Sequence, residues 1–202
     1  MKQHAEAVQH SSKSCDWRTP SALYAALDRE FQFVVDVAAD AQNKLCPHYF
    51  GLDHTKPPLR NGLTVDWRMF VESCYQTIGI LSRCALWMNP PYARELGMPI
   101  APWVKKAWLE AQRGGTVVGV IPYSPQTEWW RTYVEGQQEK GATLETFFAA
   151  REVRKIPHRV TFLRPDGSVE GSAGGNTAIV VWKPKHGICA PWVPFSPYWD
   201  YL

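Results

Sequence analysis

The spacing of apolar positions predicts three helices. Apolar residues recur on one helical face over residues 20–30, 102–112 and 127–134. The first segment is introduced by Thr19-Pro20, a typical helix start in which a capping residue precedes a proline. The second segment ends at the Gly114-Gly115 pair.

Continuous apolar runs with few polar positions predict buried strands. These runs cover residues 31–37, 84–88, 116–121 and Thr177–Trp182. Weaker predictions are strands at residues 48–52 and 143–148, a short helix or turn at 38–44 and a loop at 56–62. Buried strands separated by helices indicate a mostly parallel sheet with helices on both faces. The predicted fold class is therefore α/β, with three layers.

Composition favours one globular domain. The chain has 202 residues, of which 45% are hydrophobic and 20% charged, and no internal repeat divides it. We expect a disordered leader (residues 1–14), one domain (residues 15–185) and a C-terminal tail (residues 186–202) packed on that domain. No apolar run approaches the roughly 20 residues of a membrane helix. Because the N-terminus also lacks the apolar core of a signal peptide, we expect a cytoplasmic protein without a membrane partner.

The cysteines and the net charge say little about the function of the chain. The five cysteines show no CxxC spacing and are expected to be reduced thiols. Cys46, His48 and His54 fit no standard zinc pattern, so we expect no metal. The net charge of +3 permits nucleic-acid binding but does not indicate it. Ten Trp and eight Tyr are many for this length, and any exposed rings among them would allow bases to stack.

The tetrapeptide Asn89-Pro90-Pro91-Tyr92 follows an apolar run, at the strand end where open α/β sheets bind ligands. An aryl amine such as adenine N6 is a poor nucleophile because its lone pair is delocalised into the ring. The Asn89 side-chain carbonyl and the Pro90 backbone carbonyl can each accept one N–H, and the two prolines stiffen the loop. Tyr92 offers a ring for stacking. The motif therefore predicts methyl transfer to such an amine, with a plain strand terminator as the alternative.

The motif and its surroundings resemble the phage and prophage Dam-like family of DNA N6-adenine methyltransferases. The resemblance runs from Asp16 to about Trp182 and is carried by the NPPY motif, Trp17-Arg18-Thr19-Pro20, Asp36-Val37-Ala38-Ala39, the Gly-Gly turn and Trp129-Trp130. It implies a Rossmann-like class I fold, S-adenosylmethionine as cofactor and double-stranded DNA as substrate. It also implies that the target adenine is flipped into the NPPY pocket. For a phage-encoded protein, the location would be the bacterial cytoplasm.

The resemblance also implies residues that bind the methionine part of the cofactor. Backbone N–H groups near Trp17 and Pro20, and the Thr19 hydroxyl, would bind its carboxylate, which is compatible with a plain helix cap. The Asp36 carboxylate would accept a hydrogen bond from the ammonium group of the cofactor. Ala38 and Ala39 are small enough for close approach, although the Gly-rich FxGxG of most methyltransferases is absent.

Three further residues are implied at the adenosine part of the cofactor. Asp66-Trp67 resembles an acid-aromatic step that accepts from the adenine amine and packs its ring; without the resemblance it indicates a turn. Asp53 is a candidate for the ribose hydroxyls because it follows a predicted strand, with a surface loop as the alternative.

A basic stretch within residues 151–176 is the candidate for DNA binding. Its basic residues alternate with apolar ones and are Arg151, Arg154, Lys155, His158, Arg159 and Arg164. Phosphate contacts from these residues would make DNA affinity fall steeply with salt. The alternative is a solvated face or an edge strand. The Gly-rich residues 171–176 are either a loop near the active site or a hairpin connection.

Other functions remain open. The acceptor can instead be adenine in RNA, cytosine N4 or the glutamine N5 of a protein, although the Trp-Arg-Thr-Pro segment and the absent FxGxG count against the glutamine enzymes. A DNA-binding protein of the same fold without turnover is a further alternative, but it would not need the acceptor geometry of Asn89. We expect a monomer, with a dimer as the alternative.

Overall fold

The computed structural model of the chain describes residues 18–75, 84–91, 99–136, 150, 152–156, 160–164, 167–168 and 176–183. In chain order, its elements are α1 (Ser21–Phe31), β1 (Phe33–Asp36), β2 (His48–Tyr49), a 3-10 helix (Pro57–Leu59), α2 (Trp67–Tyr75), β3 (Ala85–Met88), α3 (Ala101–Gln112), β4 (Val117–Pro122), α4 (Glu128–Tyr133), β5 (Glu152–Lys155) and β6 (Thr177–Trp182). None of the described helices is long and apolar enough to cross a membrane.

The six described strands form one mixed sheet in the order β2-β1-β3-β4-β6-β5. The pairs β2–β1, β1–β3 and β3–β4 are parallel, whereas β6 runs antiparallel to both β4 and β5. The expected mostly parallel sheet is therefore corrected to a mixed one. The apolar run of β6 did not reveal its direction, because a strand buried on both faces has the same pattern in either direction.

Helices cover both faces of the sheet. On one face, Leu23 of α1 joins a core that includes Trp87 of β3. On the other face, residues of α2, α3 and α4 share a second core with Leu86 of β3. Neighbouring residues of β3 thus enter opposite cores, as the alternation of side chains along a strand requires. The fold is mixed α/β.

Most predicted elements are present. α1, α3 and α4 form where apolar residues have helical spacing, and β1, β3, β4 and β6 form at the four apolar runs. Residues 38–44 form a turn rather than a helix, and only His48–Tyr49 of the predicted strand at 48–52 is a strand. The predictions that fall outside the described residues are the strand at 143–148, the segment at 171–175, the leader and the end of the chain from residue 184.

The sequence did not predict α2. Asp66-Trp67 indicated a turn, but the Asp66 carboxylate accepts a hydrogen bond from the Met69 N–H at 2.9 Å and caps a helix. Only Trp67 and Val71, about one turn apart, are buried in this helix. Two apolar anchors give a periodic signal too short to distinguish a helix from a turn.

Candidate active site

The Asn-Pro-Pro segment lies at the middle of the carboxyl edge of the sheet. Asn89 and Pro90 follow β3 directly, and β3 has the parallel neighbours β1 and β4. The strand order reverses between β1 and β3, since β2 lies beyond β1 on one side and β4 beyond β3 on the other. Ligands of open α/β sheets bind in the crevice at such a reversal. Asp36, at the end of β1, and Asn89 therefore flank the expected crevice.

A hydrogen bond orients the Asn89 side chain. Asn89 Nδ2 donates to the Thr19 hydroxyl oxygen at 3.0 Å, which joins residues 70 positions apart. With Nδ2 turned towards Thr19, the carbonyl oxygen Oδ1 lies on the other side of the amide group. Pro90 is buried and Pro91 half-buried, and their rings fix φ at both positions. The site thus has a side-chain and a backbone carbonyl on a stiff support; Tyr92 lies outside the described residues.

The segment that contains Thr19 is anchored on both sides. Arg18 and Leu163 form two backbone hydrogen bonds, of 2.8 and 2.9 Å. Pro20 is the N-cap residue of α1, and Thr19 is buried. The amino end of α1, which has the partial positive charge of a helix N-terminus, therefore lies beside Asn89. Trp17 lies outside the described residues.

Asp36 has a buried carboxylate at the end of β1. Its oxygens accept from the Ala38 N–H at 3.4 Å and from the Leu45 N–H at 3.3 Å. Burial outweighs these two bonds and raises the pKa of Asp36 to about 7. A cation bound beside the carboxylate would favour its ionised form. Asp36 therefore fits a ligand that carries an ammonium group.

The loop after β1 is packed against the residues that follow β2. The Ala39 N–H donates to the Phe50 carbonyl at 3.0 Å, and Asp53 accepts from the Ala41 N–H at 2.8 Å. Ala38 and Ala39 are half-buried, whereas Asp53 is exposed. Asp53 thus supports the loop, and its contact with the ribose stays a prediction.

Asp66 and Trp67 have structural partners. Asp66 caps α2, and its second oxygen accepts from Arg113 Nη2 at 2.5 Å. Burial alone would raise the pKa of Asp66, but the Met69 N–H and the Arg113 guanidinium outweigh it, so the pKa is lowered. The Trp67 ring is completely buried, and its Nε1 donates to the Gly62 carbonyl at 2.6 Å. These contacts favour a structural role for both residues, and we propose that neither binds the cofactor.

Arg154 is an internal ion-pair residue. Its Nη1 and Nη2 donate to the Glu30 carboxylate at 2.7 and 2.5 Å, and its Nε donates to Glu152 at 3.0 Å. It is buried and lies 5.2 Å from the centroid of the Phe31 ring. The residue therefore ties β5 to the end of α1, and we remove it from the DNA-binding set. The edge-strand alternative fits this part of the basic stretch, because β5 is the outermost of the described strands on that side.

A tyrosine and a lysine lie at the same edge of the sheet as Asn89. Tyr123 follows β4, and its ring meets Trp130 edge-on at a centroid distance of 5.2 Å. The exposed Lys155, at the end of β5, places its Nζ 5.0 Å from the centroid of the Tyr123 ring. The ammonium group thus extends from the outer strand towards the middle of the sheet. Tyr123 could not be identified from the sequence, because its position at the same edge as Asn89 depends on the strand order.

The other basic candidates are less informative. Arg151, His158 and Arg159 lie outside the described residues. The backbone N–H of Arg164 donates to the Ser168 carbonyl at 3.0 Å. Within the described part of the chain, no group of three His, Cys, Asp or Glu side chains is placed to hold a metal ion.

Comparison with known proteins gives one match. A protein-family model described as DNA N-6-adenine-methyltransferase (Dam) matches residues 7–189. The matched range includes every described element and the whole candidate site. No curated protein and no solved structure matches the chain.

Proposed function

Because the chain belongs to the DNA N-6-adenine-methyltransferase (Dam) family, we propose that it methylates adenine N6 at specific sites in double-stranded DNA, using S-adenosylmethionine. The observation that carries this proposal is the position of Asn89 and Pro90 beside the strand-order reversal, with the Asn89 amide oriented by Thr19. Family membership implies DNA adenine methylation and a methyl donor in general. The donor, the duplex substrate and the residue roles are our proposal.

Asn89 and Pro90 are proposed to accept the two N–H groups of the adenine amine. Hydrogen bonds to Asn89 Oδ1 and the Pro90 carbonyl draw the nitrogen towards a tetrahedral geometry, which frees its lone pair to attack a methyl group. As the new bond forms and the bond between the methyl carbon and sulfur breaks, the nitrogen gains positive charge, so its N–H groups become stronger donors until one of its protons is lost to solvent. The two acceptors therefore stabilise the transition state more than the ground state.

The residues around β1 and α1 fit the methionine part of S-adenosylmethionine, which supplies an electrophilic methyl group when bound. The buried Asp36 carboxylate would accept from the ammonium group and would gain the cation that favours its charged form. The amino end of α1, at Thr19 and Pro20, suits the carboxylate because helix N-termini bind anions. The side chains of Ala38 and Ala39, on the loop between Asp36 and β2, are small enough for the cofactor to approach the backbone closely.

We also propose that the fold is a Rossmann-like class I methyltransferase fold. The parallel strands β2-β1-β3-β4 bring their carboxyl ends to one edge, where the candidate site lies. The reversed β6 lies between β4 and β5 and completes the sheet on the side of the predicted DNA-binding stretch.

Duplex DNA is proposed to deliver its adenine by base flipping, because N6 inside the stack cannot reach Asn89. Tyr92 would stack on the flipped base. Lys155, held over the Tyr123 ring at the same edge, would contact a phosphate. The other proposed DNA contacts are Arg151, His158 and Arg159.

The test is an acceptor comparison with the purified chain. The chain is incubated with S-adenosylmethionine and unmethylated plasmid DNA, RNA or a protein extract, and the products are identified by mass spectrometry. We expect N6-methyladenine in the plasmid DNA. N4-methylcytosine, methylated RNA or methylglutamine in its place would replace the proposed substrate. A chain that binds DNA without measurable affinity for S-adenosylmethionine would favour the non-catalytic alternative.

A further inference from the structure

We infer that Thr19 is a positioning residue that couples the cofactor site to the adenine site. The inference rests on the proposed methyl transfer, since it gives Thr19 a part in orienting the Asn89 acceptor. Asn89 Nδ2 donates to Thr19 Oγ1 at 3.0 Å. Thr19 also directly precedes Pro20, the N-cap of α1, where the cofactor carboxylate is proposed to bind. One hydroxyl group thus lies between the two sites.

The coupling follows from the hydrogen-bonding capacity of a hydroxyl group, which has one proton and two lone pairs. When no anion is near, the amide has two orientations: Nδ2 can donate to Thr19 Oγ1, as in the structure, or the Thr19 proton can be donated to Asn89 Oδ1, which turns the amide over and occupies its acceptor. When that proton is donated to a carboxylate, Thr19 can only accept, and Asn89 must turn Nδ2 towards it. Oδ1 is then directed to the adenine amine. The productive orientation of Asn89 is therefore selected when the cofactor site is filled.

The surroundings of both residues restrict other movements. Thr19 is only 7% exposed, and Met88 before Asn89 is completely buried. Arg18 is held to Leu163 by two backbone hydrogen bonds of 2.8 and 2.9 Å, and the ring of Pro20 restricts the Thr19 backbone. Because the backbones are held on both sides, the hydrogen bond to Thr19 bears directly on the rotation of the Asn89 amide.

Binding measurements on Thr19→Val and Thr19→Ser test the coupling without depending on turnover. The affinity for S-adenosylhomocysteine is measured with and without saturating unmethylated plasmid DNA, and the ratio of the two Kd values is the coupling. We expect at least about fivefold coupling in the native chain and in Thr19→Ser, and a ratio near one in Thr19→Val. The single-turnover methylation rate at saturating cofactor should fall about tenfold in Thr19→Val. In an Asn89→Ala background, Thr19→Val should add no further loss.

Thr127→Val is the matched control. Thr127 also precedes a helix, α4, and its hydroxyl donates to the Ser124 carbonyl at 2.8 Å. This variant should keep the native rate and coupling. A folded Thr19→Val protein with native rate and coupling would overturn the inference, as would a Thr19→Ser protein that loses as much as Thr19→Val. If the native chain transfers no methyl group, the proposed function fails, while the ratio of Kd values still decides the role of Thr19.

Discussion

Two carboxylates, Asp36 at the end of β1 and Asp66 directly before α2, have opposite electrostatic surroundings. Asp66 pairs with Arg113 and accepts the Met69 N–H, and its pKa is lowered. Asp36 is buried with two backbone N–H donors, and its pKa is raised to about 7. Among the described groups that set this pKa, none is a cation.

The difference distinguishes a structural carboxylate, Asp66, from one that is proposed to bind a ligand, Asp36. Burying a charge is costly unless a partner compensates it. Arg113 compensates Asp66 within the protein, so a ligand has little to add there. Among the described groups no cation compensates Asp36, and a bound ammonium group would do so. Perturbed titration in a crevice is typical of functional sites.

Between the two carboxylates, the largest expected effect is on cofactor binding by Asp36→Asn. The substitution removes the negative charge with little change in size, so the affinity for S-adenosylmethionine should fall by about 10- to 100-fold. Asp66→Asn is the matched control and should change this affinity less than about twofold, because Asp66 contacts protein groups. Isothermal titration calorimetry measures both values. Equal losses in the two variants would remove the distinction between the carboxylates.

The pH dependence of cofactor binding sharpens the same contrast. Protonated Asp36 cannot compensate an ammonium group, and its pKa in the unliganded protein is about 7. The affinity should therefore be lost as pH falls below 7, approaching about tenfold per pH unit. Titrations between pH 5 and about 7.5 test this, and Asp36→Asn should flatten the profile. A native profile as flat as that of the variant would contradict the assigned role.

Asp66→Ala should affect stability instead of binding. It removes the cap of α2 and the partly exposed pair with Arg113, together about 1–2 kcal/mol of unfolding free energy. Because the folded-state pKa of Asp66 is lowered, its stabilisation is present above about pH 4, the ordinary range of Asp, and is lost as pH falls. Urea unfolding at pH 7 and at lower pH measures both effects. A variant of native stability would show that the pair contributes nothing.

The smallest expected effect is on the salt dependence of DNA binding, and it should distinguish two lysines at opposite ends of the β5–β6 pair. Lys155→Met should reduce the slope of log affinity for duplex DNA against log salt by about 1, with a loss of only a few-fold in affinity. Lys183, which follows β6 and lies 5.4 Å from the centroid of the Phe31 ring, is the matched control. Lys183→Met should leave the slope unchanged. Equal slopes for the native and Lys155→Met chains would exclude Lys155 from the phosphate contacts.

The sequence predicted those parts of the fold that depend on local pattern. The helical stripe of α1 and the apolar run of β3 are each contained within one segment, so periodicity alone identified them. The direction of β6 depends on its neighbours β4 and β5 and is not encoded in its own residues. α2 has only two buried anchors, which is too few for a periodic signal.

The same limit applies to the site. The Asn89-Pro90 segment could be recognised from the sequence because the proposed acceptor, the proline-restricted backbone and the end of the strand follow one another along the chain. The Thr19–Asn89 bond spans 70 positions, and the pair of Arg154 with Glu30 spans 124. Such contacts depend on the tertiary fold, so the sequence could not show that Thr19 orients Asn89 or that Arg154 is already paired.

The account as a whole depends on Asn89 as an acceptor of the adenine amine. The most direct test is nucleoside mass spectrometry of plasmid DNA from a methylation-deficient host that expresses either the native chain or Asn89→Ala, with cofactor binding and thermal unfolding measured on both purified proteins. We predict N6-methyladenine with the native chain and a decrease of at least about 100-fold in Asn89→Ala, at nearly equal cofactor affinity. Equal methylation by the two chains, or none by a folded native chain that binds the cofactor, would contradict the account.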